Sequence, residues 1–156
     1  MYHVATAEDF GLLRNTYDFV SVWRDETFGF PMPTLSDDEL TAYIESGKII
    51  VSDFNEDNYA ANICFEVLDD HINVVWLFPD NRHEGITDAM GAYLIMTYQK
   101  PYRYWVEART VNERNAISGV NAEHTVLVKS EVNEYGKTIN TYEFTAPELA
   151  SLKGDN

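Results

Sequence analysis

The sequence predicts a mixed α/β fold, in which helices alternate with the strands of a single sheet. Three observations predict it. Apolar residues alternate along Tyr59–Val67, and a continuous apolar run follows at Ile72–Phe78; both patterns are typical of strands. Apolar residues recur at helical spacing after Thr6 and again after Gly85. The turn residues Asn133–Gly136 separate two further strand-like segments, which indicates a hairpin.

The N-terminal third is predicted to form a strand and two helices. A side chain that caps the free N–H groups of a first helical turn marks where each helix begins. Two prolines keep the aromatic loop between the helices out of helical conformation, and this loop is a candidate contact surface if exposed. The predicted features are a strand at Tyr2–Ala5, a cap at Thr6 and Asp9 before Phe10, Leu13, Tyr17 and Val20, the loop Phe28–Pro33, and a capping box of Ser36 and Glu39 before a helix that Gly47 ends.

The remaining elements complete the order β-α-α-β-β-β-α-β-α-β-β. Residues 1–146 are predicted to form one domain, and 147–156 a polar tail. The elements are strands at Lys48–Asp53, Tyr59–Val67 and Ile72–Phe78, a helix from Gly85 that Pro101 ends, a strand at Arg103–Ala108, a short helix at Asn112–Val120, and hairpin strands at His124–Val132 and Thr138–Thr145.

Acidic residues dominate the charge of the chain. It has 26 Asp and Glu against 11 Lys and Arg, a formal net charge of −15. Such a surface disfavours binding to nucleic acid and to anionic lipid, because proteins bind these anions through Lys and Arg. It favours an amine, a cationic peptide or a basic protein as partner. Two alternatives stay open, namely that the charge serves solubility alone or that it mimics DNA.

The sequence contains neither membrane nor metal signals. No apolar run approaches the ~20 residues that cross a bilayer, and the N-terminus lacks the pattern of a signal peptide. Cys64 is the single cysteine, so no intrachain disulfide can form. These features lead us to expect a cytoplasmic location. No cluster of His and Cys has zinc-ligand spacing, and we predict no metal site.

The segment from Ile72 to Leu94 is the most informative part of the chain. An apolar strand runs through Pro79 and the stretch Arg82–Thr87 into an amphipathic helix. A helix N-terminus offers free N–H groups and partial positive charge, and it can therefore bind an anion. The segment resembles motif A of the GNAT N-acetyltransferase superfamily, an apolar strand followed by R/Q-x-x-G-x-G/A and a helix. Arg82 and Gly85 match that pattern, whereas Thr87 stands where Gly or Ala is expected.

The resemblance implies the GNAT fold, whose element order agrees with the one predicted here over nearly the whole chain. It also implies an acyl-CoA-dependent N-acyltransferase acting on a primary amine, with acetyl-CoA or another acyl-CoA as cofactor. In that family the helix N-terminus holds the pyrophosphate of the cofactor. The residues that the resemblance assigns to cofactor binding are Phe78, Arg82, Gly85, Ile86, Thr87 and Asn112.

Two residues are candidates for catalysis under the same resemblance. Glu107 would be the general base, because it is a lone carboxylate in an otherwise uncharged stretch of its strand. The alternative is that Glu107 marks the solvent-facing side of an alternating strand. Ser118 could order a water, or it could simply be tolerated in a short helix. The position of the tyrosine that serves as general acid in the family corresponds to Gly119 or Val120, so this chain lacks that tyrosine.

A second function is open on the same scaffold. Asp80, Glu84 and Asp88 flank the proposed pyrophosphate turn, and carboxylates there oppose the binding of an anion. The protein could therefore be a GNAT-fold structural or interaction protein without catalysis that binds a basic partner. A phage virion or host-interaction protein is one example, and its location would be the virion or the host cytoplasm.

Overall fold

Residues 1–80, 85–117 and 123–146 are described in a computed structural model of the protein. The helices and strands follow the predicted order, with a 3-10 turn at Ala7–Asp9 before the first helix. In chain order they are β1 Tyr2–Val4, α1 Phe10–Phe28, α2 Asp37–Glu45, β2 Ile49–Ser52, β3 Asn62–Val67, β4 Ile72–Phe78, α3 Ile86–Tyr98, β5 Tyr102–Glu107, α4 Val111–Ala116, β6 Thr125–Val132 and β7 Thr138–Phe144.

The strands in the described part of the chain form a seven-stranded mixed sheet of order β1-β2-β3-β4-β5-β7-β6. The β4 and β5 strands are parallel, with Ile72 opposite Tyr102. Antiparallel pairs join β1 to β2, β2 to β3, β5 to β7 and β6 to β7. The predicted mixed α/β fold is therefore confirmed. No described helix is both long enough and apolar enough to traverse a bilayer.

Contacts divide the chain into two compact units. The first comprises Met1–Phe65 and Val75–Ala92, and the second comprises Glu66–Val74 and the chain from Tyr93 onward. Residues 147–156, predicted to be a polar tail, lie outside the described residues. The division of the chain into one domain and a tail stays a prediction.

The helices of the first unit begin and end where their local signals lie. In the capping box of α2, the Ser36 side chain accepts from Glu39 N at 3.1 Å, and the Glu39 carboxylate accepts from Ser36 N at 2.9 Å. Gly29 follows α1 and Gly47 follows α2, with φ values of 86° and 72°. Glycine adopts this left-handed conformation without the steric cost of a Cβ, which is why both helices end there.

A cluster of aromatic side chains around Trp76 forms the core of the first unit. The ring centroid of Trp76 lies 5.0 Å from that of Tyr17, 5.8 Å from Tyr43 and 6.0 Å from Phe78. The indole Nε1 of Trp76 donates to Asn62 Oδ1 at 2.6 Å. Both partners are buried, so the bond satisfies polar groups that have little access to water.

The strand predicted at Tyr59–Val67 is too long, and the burial of one face alone, which its alternation predicted, is wrong. The strand begins at Asn62, because Tyr59 instead forms an isolated bridge with Glu56 across the preceding turn. Ala60–Phe65 are all buried, so packing covers both faces of β3 and not one. Asn62 fits inside because its amide bonds to Trp76 and to the Ala60 carbonyl at 3.0 Å. Cys64, the single cysteine, is buried in this strand.

The aromatic loop between α1 and α2 is not an exposed contact surface. Phe30 and Met32 are buried in the first unit. The Met32 N–H donates to Ser21 Oγ at 3.1 Å, and the buried Tyr17 hydroxyl donates to the Pro33 carbonyl. Burial raises the pKa of Tyr17 to about 12, so its hydroxyl stays a donor over the physiological range. The loop belongs to the core because α1 supplies partners for its backbone.

The second unit contains a small apolar cluster and the β6–β7 hairpin. Ile95 of α3 and Ala146 are buried together, with Tyr102 and Phe144 packed against them. The Asn133 side chain fixes the hairpin turn, since its Oδ1 accepts from the backbone N–H groups of both Tyr135 and Lys137 at 2.9 Å. The hairpin predicted around Asn133–Gly136 is confirmed.

Substitution of Asn62 by alanine should destabilise the protein by about 1–3 kcal/mol, because the indole N–H of Trp76 would lose its acceptor inside the core. Urea unfolding curves measure this change in free energy. Asn15→Ala is the control, since Asn15 lies exposed on α1 and should shift the free energy by no more than ~0.5 kcal/mol. Equal stability of the Asn62→Ala variant and the parent protein would contradict the role of this bond.

Candidate functional site

The first unit places an exposed glycine at the start of α3. Gly85 has a φ of 85°, and a Cβ built on it would meet no described atom within 4 Å. Its carbonyl accepts from Ala89 N at 3.0 Å, a hydrogen bond at the start of the helix. Ile86 and Thr87 lie in the first helical turn, whose N–H groups in general have no partner within the helix. The backbone at this point can approach a ligand closely.

Side chains at this helix start differ in what they offer to a ligand. Ile86 is buried, and the Phe78 ring stacks on Trp76 in the aromatic core. Both side chains are thus used in packing, and their backbone groups are what a ligand could contact. Thr87 is half-buried and adds a hydroxyl. Arg82 lies outside the described residues.

Two carboxylates flank the same turn. Asp88 is exposed in the first turn of α3, where its negative charge is favourable to the helix dipole. Asp80 is buried, with 8% of its surface exposed. A bound anion would have to share the positive end of the helix with the Asp88 charge, so its net attraction is reduced.

Glu107 lies at the end of β5 in the second unit and is buried, with 5% exposure. Its partner in the antiparallel register with β7 is Ile139. The alternative interpretation, that the Glu107 carboxylate faces solvent, is therefore wrong. Alternation along β5 does not predict which of its side chains are exposed. Asn112 is exposed as the second residue of α4. Ser118 lies outside the described residues, and the roles assigned to these residues stay predictions.

A polar cluster in the second unit was not predicted. The Glu113 carboxylate accepts from Asn140 Nδ2 at 2.6 Å, from the Tyr142 hydroxyl at 3.0 Å and from Arg109 N at 3.0 Å. Partial burial opposes the charge of Glu113, but these three donors outweigh it, and the pKa of Glu113 is lowered from its ordinary value. The Thr110 hydroxyl caps α4 by accepting from Glu113 N at 3.1 Å. Glu113 thus ties α4 to β7.

Tyr104 extends the same cluster along β5. Its hydroxyl donates to the Ala116 carbonyl at 3.1 Å, and its ring lies 6.1 Å from that of Tyr142. Burial raises the pKa of both tyrosines, and the bond from Tyr142 to Glu113 raises that of Tyr142 further. Both phenols are therefore protonated donors at neutral pH. Alternation along the strands could have indicated that these tyrosines lie on one face of the sheet. Their register, with Tyr104 opposite Tyr142, depends on how the strands pair.

The described residues contain no group of three or more His, Cys, Asp or Glu side chains that could hold a metal ion.

Comparison with solved structures identifies the fold. The chain is similar to a protein from Bacteroides thetaiotaomicron that is named as an acetyltransferase of the GNAT family. The match covers 99% of this chain and 92% of that one, with a TM-score of 0.56 and 15% sequence identity. No protein-family model matches the sequence, and no curated protein matches it. The fold predicted from the resemblance is therefore confirmed, and at this identity the likeness extends to the fold alone.

Substitution of Glu113 by glutamine should destabilise the protein at pH 7 by about 1–2 kcal/mol, because an amide nitrogen replaces one accepting oxygen and at least one of the three donors loses its partner. Since the folded pKa is depressed, this stabilisation is present above the unfolded value of 4.5 and is lost as pH falls through the folded pKa. Urea unfolding at pH 7 and pH 3 should show the difference between parent and variant shrinking at the lower pH. Glu134→Gln, in the exposed hairpin turn, is the control. A difference that does not change with pH would count against the charge-dependent clamp.

Proposed function

We propose that the protein is an acyl-CoA-dependent N-acyltransferase that acts on a primary amine, with acetyl-CoA or another acyl-CoA as donor. The observation that carries the proposal is the exposed, left-handed Gly85 at the start of α3, in a chain that has the GNAT fold. A glycine in this conformation leaves the first N–H groups of the helix open to a pyrophosphate. A chain with this fold and this turn fits the cofactor of the family that it resembles.

The proposed cofactor contacts are mostly backbone groups. Ile86 and Thr87 would donate their N–H groups to the pyrophosphate, and the Thr87 hydroxyl would add a donor. Since the Phe78 side chain is packed in the core, its contribution would come from its backbone at the end of β4. Arg82 would supply positive charge and Asn112 a side-chain amide. Within the first unit, the N–H groups of Ile86 and Thr87 would offset part of the repulsion from Asp88.

Acyl transfer to an amine requires removal of a proton from that amine. Acyl-CoA would supply an activated acyl group as a thioester. Glu107 would accept the proton. Its carboxylate is buried, so few water molecules would compete with the amine for it. Ser118 would hold an ordered water. The net charge of −15 would attract a cationic acceptor to the protein.

A thermal-shift titration with acetyl-CoA tests the cofactor proposal. Acetyl-CoA at a hundredfold its Kd should stabilise the protein by about 2.7 kcal/mol. Gly85→Val should weaken this binding at least tenfold, because a branched side chain would occupy the space in front of the helix N-terminus. The variant also strains the backbone at a φ of 85°, so its stability falls as well.

Gly47→Val is the matched control for that strain. Gly47 has a φ of 72° and open space around it, but it follows α2 and has no proposed cofactor role. Both variants should lose stability, and only Gly85→Val should lose the acetyl-CoA shift. Equal shifts in both variants would contradict the assignment of the pyrophosphate to this turn.

Replacing Glu107 by glutamine should lower the rate of acetyl transfer to a polyamine or lysine peptide by about 10²–10⁴-fold, since glutamine cannot accept the proton. The rate is measured by release of free CoA thiol. The Glu134→Gln variant, altered in an exposed turn, should retain the parent rate. Because Glu107 is buried, acetyl-CoA binding by the variant must be checked by the same thermal shift. A parent-like rate in the variant would exclude Glu107 as the base.

A second candidate is a GNAT-fold interaction protein without catalysis, for example a phage virion or host-interaction protein. The position of Asp88 in the first turn of α3 and the charge of −15 favour it. Such a protein would show no acetyl-CoA shift and would bind a lysine-rich peptide with an affinity that falls as salt rises. For the enzyme we propose a cytoplasmic location, and for a phage protein the virion or the host cytoplasm. In either case we propose no affinity for nucleic acid or membranes, because an acidic surface repels both.

A further inference from the structure

Three large apolar side chains lie exposed along one face of α1, and we call them the α1 strip. Phe19, Val22 and Trp23 expose 63%, 59% and 43% of their surfaces. Their spacing of three and four residues makes them neighbours on the helix surface. The apolar residues that α1 buries in the first unit lie on its other side, at Leu13, Tyr17 and Val20. An exposed apolar strip on a strongly charged protein is typical of an interaction site.

Neighbouring rings hold the two aromatic members of the strip in place. The Phe19 ring packs edge-on against Tyr59, with their centroids 6.0 Å apart, and the Tyr59 hydroxyl donates to the Pro79 carbonyl at 2.5 Å. The Trp23 ring packs edge-on against Phe28 at 5.4 Å. Side chains that are already ordered lose little freedom when a partner binds, and aromatic rings of this kind are frequent anchors of protein interfaces.

The charged side chains that α1 exposes around the strip are all negative, namely Asp18, Asp25 and Glu26. Glu26 follows Val22 by four residues and Trp23 by three, so its carboxylate continues the same face of the helix. A partner that covers the strip must therefore also meet these carboxylates. A second copy of this chain would bring acidic groups against acidic groups, which disfavours it as the occupant.

The two arginines of α1 do not offset this charge. Arg14 contacts Asp18 at 2.6 Å and Asp37 at 3.4 Å. Arg24 is buried, with 8% of its surface exposed, and its guanidinium lies 5.4 Å from the centroid of the Phe28 ring. No exposed residue of α1, a helix described over its whole length, carries a positive charge. The exposed face of α1 therefore combines an apolar strip with negative charge alone.

We propose that the exposed face of α1 binds a basic amphipathic helix of another protein. Apolar side chains of that helix would cover the strip, and its Lys or Arg side chains would pair with the surrounding carboxylates or lie over the Trp23 ring. From Phe19 to Glu26 the face is about 10 Å long, which fits two turns of a partner helix. The association is therefore reversible, and added salt weakens it. It does not depend on acetyl-CoA, because the strip and the turn at Gly85 are different residues.

Calorimetric titration of the full chain with designed peptides tests the proposal. The probe is a helical peptide of leucine and lysine whose leucines lie on one face. In one control peptide serine replaces every leucine, and in the other glutamate replaces every lysine. The protein should bind the probe about tenfold or more tightly than either control, because each control lacks one of the two features that the face recognises.

The fluorescence of Trp23 reports where the peptide binds. This indole is 43% exposed, whereas that of Trp76 is 3% exposed. Binding at the strip removes the Trp23 ring from water, so its emission should move to shorter wavelength. The shift should disappear in Trp23→Phe, which keeps an aromatic ring at the position.

Matched variants separate the α1 face from the rest of the surface. Combined Phe19→Ser and Val22→Ser substitutions should weaken binding of the probe about tenfold, whereas Val4→Ser, at a residue 42% exposed on β1 of the same unit, should not. Glu26→Lys and Glu134→Lys each replace a negative by a positive charge and change the net charge from −15 to −13. Glu26→Lys should weaken binding about fivefold more than Glu134→Lys, which lies in the hairpin turn of the second unit.

Three results would overturn the proposal. The first is equal affinity for the lysine peptides with leucine and with serine, since net charge alone would then explain binding. The second is a Trp23 emission shift with phosphatidylcholine vesicles in place of the peptide, which would make a membrane the occupant of the strip. The third is self-association of the parent protein in sedimentation that Phe19→Ser with Val22→Ser abolishes, which would make a second copy the occupant. Circular dichroism of each variant checks that these exposed substitutions leave the fold intact.

Discussion

The bond between Trp76 and Asn62 is the constraint on which the first unit depends. β4 must bury a large indole, and the indole carries a donor that cannot be left unsatisfied away from water. Asn62 provides the acceptor from β3, and its own amide donates to the Ala60 carbonyl. This arrangement explains how an asparagine occupies a strand that is buried on both faces. It also fixes the side chains of Tyr17, Tyr43 and Phe78, which pack around the same ring.

The second unit uses a charged group for a comparable purpose. α4 is a short helix of six residues, and helices of this length are marginal by themselves. Glu113 stabilises it by joining the backbone at Arg109 to Asn140 and Tyr142 of β7. Tyr104 adds a bond to the helix's last carbonyl. The position of Asn112, assigned to the cofactor, is thus set by side chains that do not themselves belong to the proposed site.

Charge separates the two proposed functions more than the fold does. The GNAT fold is compatible with an enzyme and with an interaction protein, because function depends on the residues of the site. A left-handed glycine before α3 favours an anion at the helix start, while the neighbouring Asp88 opposes it. The number of N–H donors in the turn decides between these two effects. Each donor offsets part of the repulsion between a carboxylate and the bound anion. Burial of Glu107 is compatible both with a catalytic base and with a structural polar network.

Features that rest on local physical chemistry could be predicted from the sequence. The element order, the capping box of Ser36 and Glu39, the glycine after α2 and the hairpin turn at Asn133 all follow from interactions within a few residues. The bounds of β4 were predicted correctly, because Pro79 follows the end of its apolar run. The other features depend on contacts between distant parts of the chain. Burial of both faces of β3, burial of Glu107 and the meeting of Tyr104 with Tyr142 depend on elements far apart in the chain, and periodicity within one strand carries no information about what packs against it. Glu113 is the clearest case: its sequence neighbourhood indicates a solvated helix, whereas its three donors include two that lie 27 and 29 residues away.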